Sequence, residues 1–475
     1  MSQRGYPYDD TMPGISLAID PTAMRAMFAD ELMRTTGSDF TIDRCRLQRI
    51  RYRPAEHCFV HYALELVETR TGRRSEAWLT GVIYPGPRTL RRLEKLLAAS
   101  AGQPRPEGWC RFEPGFYLPA ADMLVQSFPF DRRLRSLPSV VAGTASEIDS
   151  LIIEGFGPGD WRIEMRRVEP VRYRALSGAV LRHTVDVVER ESGRRDRRTC
   201  YVKVCRAGEG EQEARLLETL SAHARSTGQA FGVAELTGYL DQLDVVVVEQ
   251  APGDCFERMI IDGQDVAGAA RRAARGLAAF HLGAMASHSV AGAVIDRANV
   301  AASYVAWACP DLADDLRHIV GMAKHHLETT ELSPTHLDLK PDHFFLDGER
   351  VVFIDLNTFG AADPVLDVAT LLARFAAMPT RFGAPAAHVE TAAQALADEY
   401  FAQVPAEWRS RLDMNRAVAA VQVASEFFRH QHPDWRELVP AWIARARQAA
   451  DAGSRAPRYG RRSDAAMPLV PVGGA

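Results

Sequence analysis

The chain repeats itself, and the repeat limits what it can fold into. Residues 51–82, RYRPAEHCFVHYALELVETRTGRRSEAWLTGV, align without gaps on residues 172–203, RYRALSGAVLRHTVDVVERESGRRDRRTCYVK, at an offset of 121 (172 against 51). The opening Arg-Tyr-Arg, Val67/Val188, Glu68/Glu189 and a Gly-Arg-Arg turn are identical. Both segments alternate apolar and polar residues around that turn, which is a hairpin pattern. A helix-like stretch follows each, LRRLEKLLAAS and EQEARLLETLSAHA, and then YLPAADMLVQSFPFD answers YLDQLDVVVVEQAPGD. Agreement in order and spacing predicts a duplicated sheet-plus-helix unit. The copies differ at the end of the third strand, where the second carries a lone lysine, Lys203, and the first has Thr80-Gly81-Val82. A charged group in an apolar strand is costly unless paired, so Lys203 either snorkels from a sheet edge or meets an anion in a site.

Beyond residue 257 the pattern changes to Ala- and Leu-rich segments with helical spacing, such as DVAGAARRAARGLAAFHLGAM. The chain is thus sheet-rich first and helix-rich second. At 475 residues, 47% hydrophobic and 25% charged, it has the size and composition of a soluble protein of two or three domains. A formal charge of −4 gives no reason to expect a nucleic-acid or membrane partner, and no apolar run reaches the roughly 20 residues of a membrane helix. The N-terminus lacks the apolar core of a secretory signal, and seven scattered cysteines without a C-x-x-C read as reduced thiols, so the expected location is cytoplasmic.

The chemistry concentrates in THLDLKPDHFFLDGERVVFID, residues 335–355. HFFLDGERVVFID reads as strand, Asp-Gly turn, strand, a hairpin preceded by Asp338 and ending on Asp355. Two carboxylates beside a rigid hairpin suit metal binding and proton acceptance, the requirements of phosphoryl transfer, whose catalysis is mainly positioning and charge neutralisation. Lys203 and the acidic helix after it, GEGEQEARLLETL, supply the other half, with Glu213 the preferred partner among several nearby glutamates.

In order, Lys203, Glu213, VVVVEQAPG (245–253), HLDLKPDH (336–343), FID (353–355) and DPVLD (363–367) resemble the aminoglycoside phosphotransferase and choline kinase family. The resemblance covers about 150–450. It implies an α+β, protein-kinase-like two-lobe fold with an antiparallel-sheet N-lobe and a helical C-lobe, here preceded by a degenerate duplicate of the N-lobe. The expected divisions are a tail (1–15), an N-lobe-like repeat lacking the lysine (16–145), a nucleotide-binding N-lobe (146–256), a helical C-lobe (257–452) and a second tail (453–475). The implied activity is ATP-dependent phosphorylation of a small-molecule hydroxyl, on a sugar or amino sugar for example. Asp338 would accept or orient the hydroxyl proton, and Lys340 either approaches the γ-phosphate or lies on the surface. Asp355 would hold Mg²⁺; Lys203, steadied by Glu213, would meet the α/β-phosphates under Ser177 and Gly178. Glu249, Gln250 and Ala251 would form the hinge that pairs with adenine, and Asp363 and Asp367 would brace the helical lobe.

One residue departs from the family pattern. His343 stands where the family has Asn as an oxygen ligand for a second Mg²⁺, and imidazole suits that hard cation poorly. Three readings follow: a one-metal kinase relying on Asp355, a preference for Mn²⁺, or a pseudokinase kept as a nucleotide-sensing or partner-binding module. Asn357 offers a compensating oxygen. The lack of a conspicuous Gly-rich loop also favours the last reading.

Overall fold

The computed structural model describes residues 9–53, 55–226, 230–283 and 288–455. Two five-stranded antiparallel sheets dominate its first half. The first contains β1 (Phe40–Arg53), β2 (His57–Glu68), β3 (Arg74–Ile83), β4 (Gly115–Leu118) and β5 (Met123–Ser127) in the order β1-β2-β3-β5-β4. The second uses β6 (Trp161–Arg174), β7 (Gly178–Glu189), β8 (Arg195–Val204), β10 (Leu236–Leu240) and β11 (Val245–Glu249) in the order β6-β7-β8-β11-β10. Each sheet takes a helix after its third strand, Arg88–Ser100 and Glu209–Ser226. Each also turns into its last strand through a left-handed aspartate, Asp122 at φ 43° and Asp244 at φ 49°, a conformation that short polar side chains tolerate.

The long edge strands carry matching irregularities. β1 slips register against β2 at Ile42/Arg44 and Leu47/Arg49, and β6 slips against β7 at Ile163/Met165 and Pro170/Arg172. Bulges are tolerated at sheet edges, where they bend the strand and re-aim its side chains. Pro170, which donates no hydrogen bond, fits the same edge position. In both strands an arginine, Arg49 or Arg172, follows the second slip.

The second sheet is joined to the helical lobe through backbone pairing. Between its helix and β10 the chain inserts β9 (Phe231–Val233), which runs parallel to β15 (Arg350–Phe353) in a small sheet ordered β12-β14-β15-β9. There β12 is Asp254–Cys255 and β14 is Phe344–Asp347. The hairpin β14–β15 turns on Asp347 to Glu349 with Gly348 at φ 59°, as the Asp-Gly pair predicts. Around it stand helices Val266–Leu282, Ala291–Ala308, Ala313–Thr329, Val365–Phe382, Ala386–Gln403, Leu412–Arg429 and Trp435–Arg455. This is the expected two-lobe α+β arrangement. No helix among the described residues is long and apolar enough to cross a membrane.

The first sheet packs on the helical lobe. One buried core runs from Phe28, Tyr52 and Tyr62 to Phe427, Phe428 and Trp442, and Tyr52 stacks on Trp307 with ring centroids 4.2 Å apart.

Three boundaries differ from the sequence-based expectation. The tail 1–15 is too long: Met12 and Ile15 are buried, and Asp9 accepts a hydrogen bond from the Tyr52 hydroxyl, so apolar anchoring begins before residue 15. Residues 1–8 lie outside the described residues. The division at 145/146 cuts through one core, because Leu134, Leu137 and Val140 pack with Ile148 and Ile152 against Leu181, Val202 and Val247 of the second sheet. Finally, the last helix runs to Arg455 with Ala450 buried, past the 452/453 boundary; residues 456–475 lie outside the described residues.

Gly14 marks the tightest of these joins. A Cβ there would stand 1.9 Å from the carbonyl oxygen of Ala121, a backbone atom with little room to move. Gly14→Ala is therefore expected to destabilise the chain by about 1–3 kcal/mol, read as a lower thermal midpoint.

Candidate active site

Lys203 sits on β8, between Val180 of β7 and Val246 of β11, so its stem is held on both sides by strands. Its ammonium group donates to Glu213 from the helix Glu209–Ser226. Both side chains are largely buried, at 16% and 10% exposure, and the pairing is what makes a lysine tolerable in that strand. Glu209 and Glu211 in the helix's first turn complement its dipole.

The two aspartates lie on a braced and strained backbone. The Asp367 carboxylate accepts from the N–H groups of His336 (2.7 Å) and Leu337 (2.8 Å) and lies 3.1 Å from His281 Nε2. Leu337, at φ 72°, and Asp355, at φ 57°, both adopt the left-handed region. A non-glycine residue persists there only when its surroundings dictate it, and such sites cluster where function needs fixed geometry. His336 adds to the bracing: its Nε2 donates to the Ile354 carbonyl at 2.9 Å, and its own carbonyl accepts from Thr358 Oγ1 at 2.6 Å. Asp363 accepts from the Val365 N–H (3.1 Å) and from Asn415 Nδ2 (2.6 Å), with His326 Nε2 2.9 Å away.

Asp338 accepts from Lys340 Nζ at 2.8 Å. Burial acts to raise its carboxyl, but the Lys340 ammonium and the more distant Arg374 hold it below the usual carboxylate range. Asp355 accepts from Arg172 Nη1 at 2.7 Å. Burial again opposes ionisation, and the Arg172 and Lys203 charges overcome it, leaving this carboxyl far below its ordinary value. Both groups are therefore carboxylates at neutral pH.

His343 is buried at 4% exposure and stacks on His336 with ring centroids 5.5 Å apart. Its Nδ1 has no hydrogen-bond partner, and its Nε2 lies 3.7 Å from Asp355 Oδ2. Burial, then the neighbouring Lys340, pushes its pKa well below the usual histidine value, so the ring is neutral.

A cleft of about 1170 Å³ gathers most of the expected residues: Ser177, Gly178, Lys203, Glu213, Asp338, Asp355 and Asn357 all line it. Lys340 and His343 stand behind the aspartates and are not in its lining. The hinge segment is not in the lining either. The N–H groups of Glu249 and Gln250 are donated to Glu235 and Thr199 carbonyls, and the Glu249 side chain is held by Arg198 and Thr237. Of the backbone groups expected to pair with adenine, the N–H groups of Glu249 and Gln250 are thus committed inside the protein.

Among the cleft residues that sequence reasoning missed, Arg172, Arg174 and Arg297 bring charge beside the two aspartates. The first two belong to the Arg-Tyr-Arg that opens the repeat, so the signal was present but read only as a mark of duplication. Arg297, whose Nη1 donates to the Leu337 carbonyl at 3.2 Å, lies on a helix with nothing in its surroundings to single it out.

The sequence pattern of the phosphotransferase enzyme family (APH) matches residues 181–412. No curated protein matches the chain. Similar solved structures include a choline/ethanolamine kinase family protein from Mesorhizobium loti, at 15% identity and a TM-score of 0.39, over 60% of this chain and 92% of that one. A choline kinase from Cryptosporidium parvum matches at 9% identity and a TM-score of 0.42, over 64% and 95%. An aminoglycoside phosphotransferase from Alicyclobacillus acidocaldarius matches at 18% identity and a TM-score of 0.36, over 62% and 94%.

Proposed function

We propose, on the premise that residues 181–412 belong to the phosphotransferase enzyme family, that this chain transfers the γ-phosphoryl group of ATP to a hydroxyl of a small molecule. One observation carries the reading: the Lys203–Glu213 ion pair, Asp338 and Asp355 border the same cleft. Lys203, aimed by Glu213, meets the α/β-phosphates beneath the Ser177–Gly178 turn. Asp338, already ionised, orients the acceptor hydroxyl and takes its proton, while Lys340 keeps that carboxylate in place. Residues 249–251 receive adenine through their carbonyls and the Ala251 N–H. The matching strand orders support reading the unit built on the first sheet as a degenerate copy of the nucleotide-binding lobe built on the second, ahead of the helical catalytic lobe. Seven unpaired cysteines are in keeping with a cytoplasmic setting.

The residues present fit a divalent cation bound chiefly through nucleotide phosphates. Asp355 and Asn357 border the cleft, and among the described residues no three acidic, histidine or cysteine side chains gather into a full cage. Mg²⁺, or Mn²⁺ given the neutral imidazole of His343 beside Asp355, would be held by these side chains and would neutralise charge on the phosphates.

A second reading, a pseudokinase that senses nucleotide or binds a partner, is favoured by one specific observation. Arg172 supplies a built-in cation on Asp355, the carboxylate meant for the metal. Thermal-shift titration with ATP separates the two, because stabilisation follows ligand concentration over its dissociation constant. A transferase is stabilised by ATP only with Mg²⁺ or Mn²⁺, and Arg172→Gln, by removing a competitor, should lower the cation concentration required by roughly tenfold. A pseudokinase that uses Arg172 as its cation binds ATP in chelator and loses that binding in Arg172→Gln.

A further inference from the structure

Resting on the phosphotransferase reading, we infer that the acceptor is an anion: a hydroxylated small molecule bearing a phosphate or carboxylate group, held by guanidinium groups where the two sheets meet the helical lobe. Arg49 and Arg51 lie on one face of β1, two residues apart, and Arg49 is close enough to Arg429 of the helix Leu412–Arg429 and to Arg174 of β6 for their charges to act on it. Arg51 Nη1 donates to Ser177 Oγ at 3.4 Å, which ties this group to the turn at the cleft. Arg174 and Arg297 line the cleft together with Asp338 and Asp355.

These guanidinium groups have no acid of their own. Among the described residues, no carboxylate lies within ion-pair distance of Arg49, Arg51, Arg174, Arg297 or Arg429. Glu426, the acid whose charge reaches Arg49, is already claimed by Arg374 (2.6 Å) and Arg381 (2.7 Å). The acids that reach Arg174 and Arg297 are Asp338, Asp355 and Asp367 of the catalytic site itself. What partly offsets the charge is aromatic: Arg51 lies over Phe59 (4.2 Å) and Arg429 over Tyr304 (4.7 Å), and the Nε of each is buried without a partner. Burial chiefly, and then the charges of Arg429 and Arg174, push Arg49 down to about 9. Burial, then Arg51 and Arg49, push His61 down to about 3, so it adds no further charge.

Concentrated cationic charge on low-dielectric walls draws an anion to the cleft, and planar guanidinium forks match phosphate and carboxylate oxygens two at a time. A polycationic acceptor would need carboxylates here, yet Asp338, Asp355, Glu213 and Glu426 each already hold a cation.

The test uses the full chain with ATP and Mg²⁺ or Mn²⁺, and glucose 6-phosphate, gluconate, glucose, glucosamine and choline as acceptors, with products read by mass spectrometry. Transfer to the phosphorylated or carboxylated acceptors is expected, the preferred one telling phosphate from carboxylate. In Arg429→Gln and Arg49→Gln the acceptor KM should rise about 10- to 100-fold. Arg429→Lys, which keeps the charge, should recover most of that rise. Equal or better turnover of glucose, glucosamine or choline overturns the inference. Calorimetry with inorganic phosphate, glucose 6-phosphate and gluconate keeps the two readings apart. Anion binding that disappears in the Gln variants, without transfer to any acceptor, retains the anion site and removes the transferase reading. No anion binding at millimolar concentration removes the anion site whatever the transfer assay shows.

Discussion

Replacing Asp338 with Asn is expected to lower kcat for phosphoryl transfer by about 10²- to 10⁴-fold, the usual contribution of a positioned proton acceptor. The substitution keeps shape and removes charge, so Lys340 loses its ionic partner while the Asp367 clamp on the His336 and Leu337 N–H groups is untouched. ATP binding should survive, since Lys203 and Glu213 come from the other lobe. The measurement is a transfer assay with thermal-shift titration of ATP on the same sample. Full activity in Asp338→Asn would remove Asp338 from the reaction and leave nucleotide binding as the site's business.

The second large effect concerns stability. Glu426 lies in the helix Leu412–Arg429 and holds both Arg374 and Arg381, and Arg374 is only 8% exposed. Glu426→Ala leaves those guanidinium groups without their acceptor and should cost about 3–5 kcal/mol in urea unfolding, as breaking a buried ion pair from one side does. The sign of the pH dependence follows from the carboxyl. Burial alone would raise it, but Arg374 and Arg381 hold it well below the ordinary glutamate range in the folded chain. A depressed folded value means that the contribution is fully present above the ordinary glutamate pKa and is lost as pH falls toward the folded one. The gap between wild type and Glu426→Ala should therefore narrow on acidification, and a gap independent of pH would show that the charge is not what matters.

How much was legible depended on whether the signal was local. Lys203 stood out because a lone charge in an apolar strand demands an explanation, and the structure answers it with Glu213. Asp355 stood out because it closes an apolar run, yet its partner Arg172 lies 183 residues away in the chain. No local pattern announces such a contact. It depends on the register slip at Pro170/Arg172, which precedes Arg172 in β6, and on β9 pairing with β15, which brings the second sheet to the hairpin that ends before Asp355. The boundary at 145/146 was misjudged for a related reason: residues 134–152 are short amphipathic segments whose core depends on which sheet face lies open.

The sequence by itself determined the repeated strand pattern, the change from sheet to helix, and the order of Lys203, Glu213, Asp338 and Asp355, because periodicity, turn chemistry and isolated buried charge are properties of neighbouring residues. Only the tertiary structure decided which charges meet. It put Arg172 on Asp355, left His343 neutral beside it, and brought Arg49, Arg51, Arg174 and Arg429 together from two sheets and a helix, with Arg174 in the cleft lining and Arg51 bonded to Ser177 there. Electrostatic energy depends on distance through space and on burial, and neither is written in chain order.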